Sequence, residues 1–221
     1  MEHKGKLQRT FVREEAYLIL RDWIIEGKLE SGQKLRDKDL AEQLGVSRTP
    51  IREALLRLEN EGFVLTKPNC STVVSPIDFH NALHLYSIVW SLEKLALEQA
   101  FEFITDKHIT LMSSANEKFL QALQSNHPAL SVECDSDFHS IYIQLSQNNE
   151  LCQILSRIKQ KLKRLELHYF KKAKAPHLSY QEHAHIIEAL KHKDLLLALH
   201  TVESNWKASF SRMSPNSEKD L

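Results

Sequence analysis

Every glycine of the chain falls within the first 62 residues, at positions 5, 27, 32, 45 and 62, so residues 63 to 221 contain none. Glycine supplies left-handed turns and tight reversals at no steric cost. A long stretch without it, with apolar residues recurring every three or four positions, is restricted to helices and short connections. Two short apolar runs, Phe63–Thr66 and Thr72–Ser75, precede that stretch, and Pro76 closes them. The shift in composition divides the chain into residues 1–76 and 77–221. The class is mainly α, an N-terminal winged helix-turn-helix followed by an all-α bundle.

Within the front part, residues 40–62 read as two short helices around a turn at Gly45. Leu40, Ala41 and Leu44 recur at helical spacing in the first, and Ile51, Leu55 and Leu58 in the second. Ser47 is placed to cap the second helix with its hydroxyl, and Pro50 is tolerated in a first turn that has no N–H partner to lose. With the apolar residues facing inward, Ser47, Arg48, Thr49 and Arg52 share the outer face. Arg48 and Arg52 stand four apart and therefore on one side. A helix-turn-helix presents that end of its second helix to base edges and phosphates, and the planar fork of arginine donates two bonds to either. The first helix is expected over Phe11–Glu26, with Val12, Ala16, Ile19, Leu20, Trp23 and Ile24 inward. Residues 1–9 are expected to fray. The runs at 63–66 and 72–75, joined by turn-forming residues 67–71, read as a two-stranded wing, with Lys67 near its tip and in reach of a phosphate.

Residues 12–76 resemble the DNA-binding domain of the GntR family of bacterial transcription regulators. The matching residues are Ile25-Glu-Gly-Lys-Leu29, Gly32-Gln-Lys-Leu35, the run from Asp39 to Leu55, and Leu58-Glu-Asn-Glu-Gly62. The resemblance implies operator contacts from Lys38, Ser47, Arg48, Thr49, Arg52 and the wing with its Lys67. It also implies a homodimer on a palindromic double-stranded operator. The family's wing usually has glycine where Ser71 stands and often arginine where Cys70 stands; Asn69 can take the left-handed conformation instead.

Charge is local rather than global. The formal net charge is +0, and residues 1–76 hold 13 Lys and Arg against 12 Asp and Glu, whereas residues 47–58 hold three arginines and one glutamate. Non-specific affinity scales with the phosphates neutralised, so specificity must come from base contacts and dimerisation. Three cysteines (Cys70, Cys134, Cys152) lack Cys-x-x-Cys spacing and fit a reducing cytoplasm. No leader is read at the N-terminus, and no apolar run approaches the roughly 20 residues of a membrane span.

The second part reads as six helices, near 78–103, 106–124, 129–146, 148–172, 179–191 and 194–211, with a polar tail over 214–221. Leu85, Val89, Leu92 and Ala96 form the inward stripe of the first. Asp78 is placed to cap it, Ser179 and Glu182 to form a capping box on the fifth, and Asp194 to cap the sixth. The basic run Lys159–Arg164 reads as a solvated face. Asp135 and His139 stand one turn apart, beside the apolar Phe138, Ile141, Tyr142 and Leu145. His183 shares a face with Ile186, Ile187 and Leu190, and Asn205 shares one with Ala198 and Val202. Polar groups from three helices thus aim inward, and two imidazoles with a carboxylate suit zinc, nickel or manganese.

Residues 80–208 resemble the effector domain of the fatty-acid-regulator branch of the same family, through Asp135-x-x-Phe138-His139, Asn148, Glu182-His183, Ala189 and Asp194. In many members an aspartate and three histidines hold a metal that helps bind a carboxylate effector. Asp135, His139 and His183 occupy three of those positions, and Asn205 stands at the fourth. Many members also carry an arginine four residues before the glutamate that is Glu93 here; this chain has Val89. The resulting expectation is a non-enzymatic transcription regulator, a repressor, controlled by a small molecule bound near Asp135, His139, His183 and Asn205. The alternatives are a regulator for which the ion itself is the signal, and a metal-dependent hydrolase, for which no general base stands at motif spacing.

Overall fold

The computed structural model describes residues 6–67, 71–169 and 177–213. Two compact units divide between Ile77 and Asp78.

In the first unit, α1 spans Lys6–Ile25, β1 Lys34–Leu35, α2 Asp37–Leu44, α3 Arg48–Asn60, β2 Val64–Lys67 and β3 Ser71–Val74. The start of α1 lies inside the stretch expected to fray; Lys, Leu, Gln and Arg there are all good helix formers. Its apolar stripe buries Ala16, Leu20 and Ile24, and α1 packs on α3, where Ile51, Ala54, Leu55 and Leu58 are buried; α2 packs on α3 in turn and buries Leu40 and Ala41. Side chains such as Leu20, Ile51 and Leu58, fully buried, contribute about 1.5–3 kcal/mol each. Between α2 and α3, Gly45 adopts φ 66°, and the Val46 N–H reaches back to the Ala41 carbonyl. That left-handed corner satisfies the last carbonyls of α2 and turns the chain into α3.

Strands β2 and β3 form the hairpin, from Val64 opposite Val74 to Lys67 opposite Ser71. The two-residue β1 adds to the far edge of β3, giving the order β1-β3-β2. A strand so short leaves no periodicity to read. The turn residues 68–70, with the conformation expected of Asn69, lie outside the described residues, as do 1–5 and the tail 214–221.

The second unit comprises α4 (Ala82–Ala100), α5 (Asp106–Gln124), α6 (Pro128–Leu145), α7 (Asn149–Tyr169), α8 (His177–Lys191) and α9 (Leu195–Met213), with single 3-10 turns at Phe79–Asn81 and Phe101–Phe103 flanking α4. The α4 stripe is rotated from expectation. Tyr86, Val89, Glu93, Ala96 and Leu97 are fully buried, while Leu85 and Leu92 are only partly covered. Asp194 caps α9 by accepting from the Leu197 N–H at 3.0 Å. The capping box at Ser179 does not form. Helix α8 begins earlier, at His177, and Arg212 takes both side chains, donating to Ser179 Oγ at 2.7 Å and pairing with both Glu182 oxygens. Among the described residues, no helix is long and apolar enough to cross a membrane.

Candidate DNA-reading surface and inward polar cluster

On the first unit, the outer face of α3 presents Arg48 and Arg52 with side chains 54% and 64% exposed, so neither is walled off. Lys38, Ser47 and Thr49 are exposed around them. Ser47 occupies the N-cap position of α3, but its side chain accepts no capping bond, and the residue is exposed. Lys67 ends β2, paired across the hairpin with Ser71, and its side chain lies outside what is described. The far end of α3 is anchored by Tyr17, which the sequence did not single out. Its hydroxyl donates to Glu61 at 2.7 Å, and the Arg57 guanidinium sits 3.5 Å above its ring. Both ties fix α3 against α1, so the arginines are carried on a rigid element.

On the second unit, α6 and α8 bring Asp135, His139 and His183 together, with one ligand atom from each within 4.8 Å of the other two. His183 Nε2 lies 3.3 Å from Asp135 Oδ1, and His139 Nε2 lies 3.9 Å from Asp135 Oδ2. Both imidazoles are buried, and Asp135 is partly open. Phe138 stacks on the His183 ring at 4.0 Å between centroids.

The hydrogen bonds decide which ring nitrogens face the cluster. Tyr142 donates its hydroxyl proton to Glu93, so His139 Nδ1, 2.7 Å from Tyr142 Oη and 2.8 Å from Glu93 Oε2, must itself carry a proton. His183 Nδ1 lies 2.9 Å from Asn116 Oδ1, whose orientation is set by Asn116 Nδ2 donating to the Tyr180 carbonyl at 3.0 Å. An amide oxygen only accepts, so this Nδ1 is protonated too. The Nε2 atoms of both rings therefore hold lone pairs, and both are buried without a hydrogen-bond partner. Burial pushes the His183 pKa down, against the opposing pull of Asp135. Burial raises that of Asp135, but when the imidazoles are protonated, the hydrogen bond and charge of His183 with the charge of His139 outweigh it and hold the carboxyl below its usual value. With both rings neutral, no hydrogen bond joins the carboxylate to the two Nε2 atoms. Three acceptors thus converge with no donor between them, a donor set that fits a divalent cation.

Behind this trio, Glu93 is a hub. It is fully buried, accepts a further hydrogen bond from Trp206 Nε1 at 2.9 Å, and forms an ion pair with Lys159 Nζ at 2.5 Å. Burial alone would raise its pKa; the charges of His139 and Lys159 win and keep it well below the usual carboxylate range. Lys159 corrects the reading of the basic run as a solvated face. It projects from the same side of α7 as the buried Leu155 and Leu162, and Arg164 is buried as well. Asn205 is buried, and its Nδ2 donates to Glu182 Oε2 at 2.9 Å. The stripe of α5, with Asn116 between Met112 and Phe119, held a detectable signal: a polar residue at an inward position.

A head of three helices and a wing, followed by a helical body with an inward polar cluster, defines the class of winged helix-turn-helix regulators with a helical second domain. The pattern for "Bacterial regulatory proteins, gntR family" matches residues 12–74, and that for the FCD domain matches residues 84–206. The chain belongs to the GntR family of DNA-binding transcription regulators and carries an FCD effector domain. The Nta operon transcriptional regulator of Aminobacter aminovorans is 30% identical over 161 residues, spanning 72% of this chain and 74% of that protein. The HTH-type transcriptional regulator McbR of Escherichia coli K12 is 27% identical over 198 residues, spanning 88% and 89%. A solved structure of E. coli McbR/YncC superposes with a TM-score of 0.78 at 22% identity, over 91% of this chain and 96% of that one, so the two share a fold.

Proposed function

We propose that this regulator represses transcription as a homodimer on a palindromic operator, and that an anionic metabolite bound beside Asp135, His139 and His183 controls its release. The reading head uses Lys38, Ser47, Arg48, Thr49, Arg52 and the wing with Lys67. The observation that carries the control element is the pair of buried, unpartnered Nε2 atoms facing the Asp135 carboxylate. Zinc, nickel or manganese would supply positive charge there and a coordination position for a carboxylate. Glu93 and Asn116 hold the imidazoles in the tautomer that keeps Nε2 free. With Glu93 and Asp135 ionised against the Lys159 ammonium and both imidazoles neutral, the cluster carries one net negative charge; a divalent ion would reverse that sign. Lys159 ends beside Glu93, one helical turn from Val89 on α4, and so supplies from α7 the cation that Val89 cannot. Asn205, drawn to Glu182, leaves three ligands for the ion.

The test is the affinity of the full chain for a duplex selected from a randomised pool, measured with and without chelator across a panel of small carboxylates. A carboxylate that weakens DNA binding only in the metal-loaded protein supports the proposal. If metal alone switches affinity and no carboxylate adds to it, the ion is the signal. A chain indifferent to both has no such control element.

A further inference from the structure

The two exposed arginines of α3 share one counter-ion. Asp37, the first residue of α2, accepts from Arg48 Nη2 at 2.9 Å and Nε at 3.2 Å, and from Arg52 Nε at 2.5 Å. Asp37 is more covered than either partner, its side chain 22% exposed. The two hydrogen bonds, first that from Arg52 and then that from Arg48, hold its carboxyl below the usual value. In both arginines the bonded side includes Nε. The opposite, end-on edge, made by Nη1 and the outer proton of Nη2, is not engaged by Asp37. That end-on edge can pair with the O6 and N7 acceptors of guanine.

We infer that Asp37 is a positioning and specificity-determining residue of the reading head, clamping Arg48 and Arg52 by their Nε sides so that their end-on edges meet bases. This rests on the proposal that these arginines contact DNA. Two effects follow. A free arginine loses most of its rotamer freedom on docking, and the clamp removes part of that cost beforehand. The carboxylate also offsets charge that would otherwise draw any phosphate. An isolated exposed ion pair is weak, but here one carboxylate ties two forks, one of them bidentate. The clamp therefore suppresses non-specific binding more than it weakens the specific complex.

The experiment compares full-length wild type, Asp37→Asn, Asp37→Glu, Asp39→Asn and Arg52→Ala on two duplexes, one selected by the wild type from a randomised pool and its shuffled counterpart, across a salt series. Asp39 stands in the same first turn, only 3.9 Å from Arg36, and controls for loss of one negative charge. For Asp37→Asn, the affinity ratio of selected to shuffled duplex should fall by about tenfold, and the salt slope on the shuffled duplex should steepen by about 0.9 per phosphate gained. Asp37→Glu should keep the ratio, and Asp39→Asn should change it far less. Circular dichroism establishes that each variant is folded. A folded Asp37→Asn with unchanged ratio and slope overturns the clamp, as does an Asp39→Asn variant that matches it. Should Arg52→Ala retain the wild-type ratio, the assignment of α3 as the reading surface fails, a result separable from failure of the clamp alone.

Discussion

At the scale of single residues, the proposed ion site rests on two ring nitrogens, and what fixes them is not adjacent in sequence. Glu93 on α4 and Asn116 on α5 determine which face of His139 and His183 is left to bind. Partners of this kind typically change metal affinity by about 10–100-fold when removed. Asn116→Leu is therefore expected to weaken divalent-ion binding by about that factor while thermal unfolding remains cooperative, which competition with a fluorescent chelator would measure. Glu166 gives a second prediction. Burial, then the charge of Asp135, raises its pKa to about 8. The folded state thus holds a proton that the unfolded chain releases above about 4.5. Unfolding is favoured progressively as pH rises between those two values. In urea melts of chelated protein, wild type should lose stability relative to Glu166→Gln across that window; parallel pH profiles would show that Glu166 titrates normally. The residues of the trio were legible in the sequence because His183 shares a face with apolar residues, Asp135 and His139 stand one turn apart beside another such face, and the family resemblance groups the three. Lys159 was not. A lysine in a basic run looks solvated until the carboxylate that neutralises it, 66 positions away on another helix, is in place.

Elements were read more securely than their ends. The six helices of the body follow from periodicity alone, and their limits differ from expectation where tertiary contacts intervene. At α8, Arg212 draws Ser179 and Glu182 away from a capping arrangement, and the helix starts a half-turn earlier. The β1 strand exists only because β3 offers it an edge. The turn between α2 and α3 was legible because its chemistry is local: Gly45 takes φ 66°, and no atom lies within 4 Å of where a Cβ would stand. Gly45→Ala therefore meets strain without a clash. It should cost about 1–2 kcal/mol of stability, read as a lowered urea midpoint with an unchanged m-value. A neutral result would mean the corner relaxes out of the left-handed region.

For the whole molecule, the family follows from sequence and fold together, whereas the link between body and head is a proposal about energies. Control requires the ligand to bind one DNA-binding state better than the other. Arg52→Ala should abolish discrimination between selected and shuffled duplexes while leaving ion binding to the body intact, since the two sites lie in separate units. Equal loss of both would point to global unfolding. The control element itself stands or falls on whether the three converging acceptors hold an ion. The direct measurement is the metal content of the purified full-length chain after loading with zinc, nickel or manganese and gel filtration, beside His139→Ala treated identically. One divalent ion per wild-type chain and a large loss in the variant is the predicted result; stoichiometric metal in His139→Ala, or none in the wild type with any of the three, would contradict it.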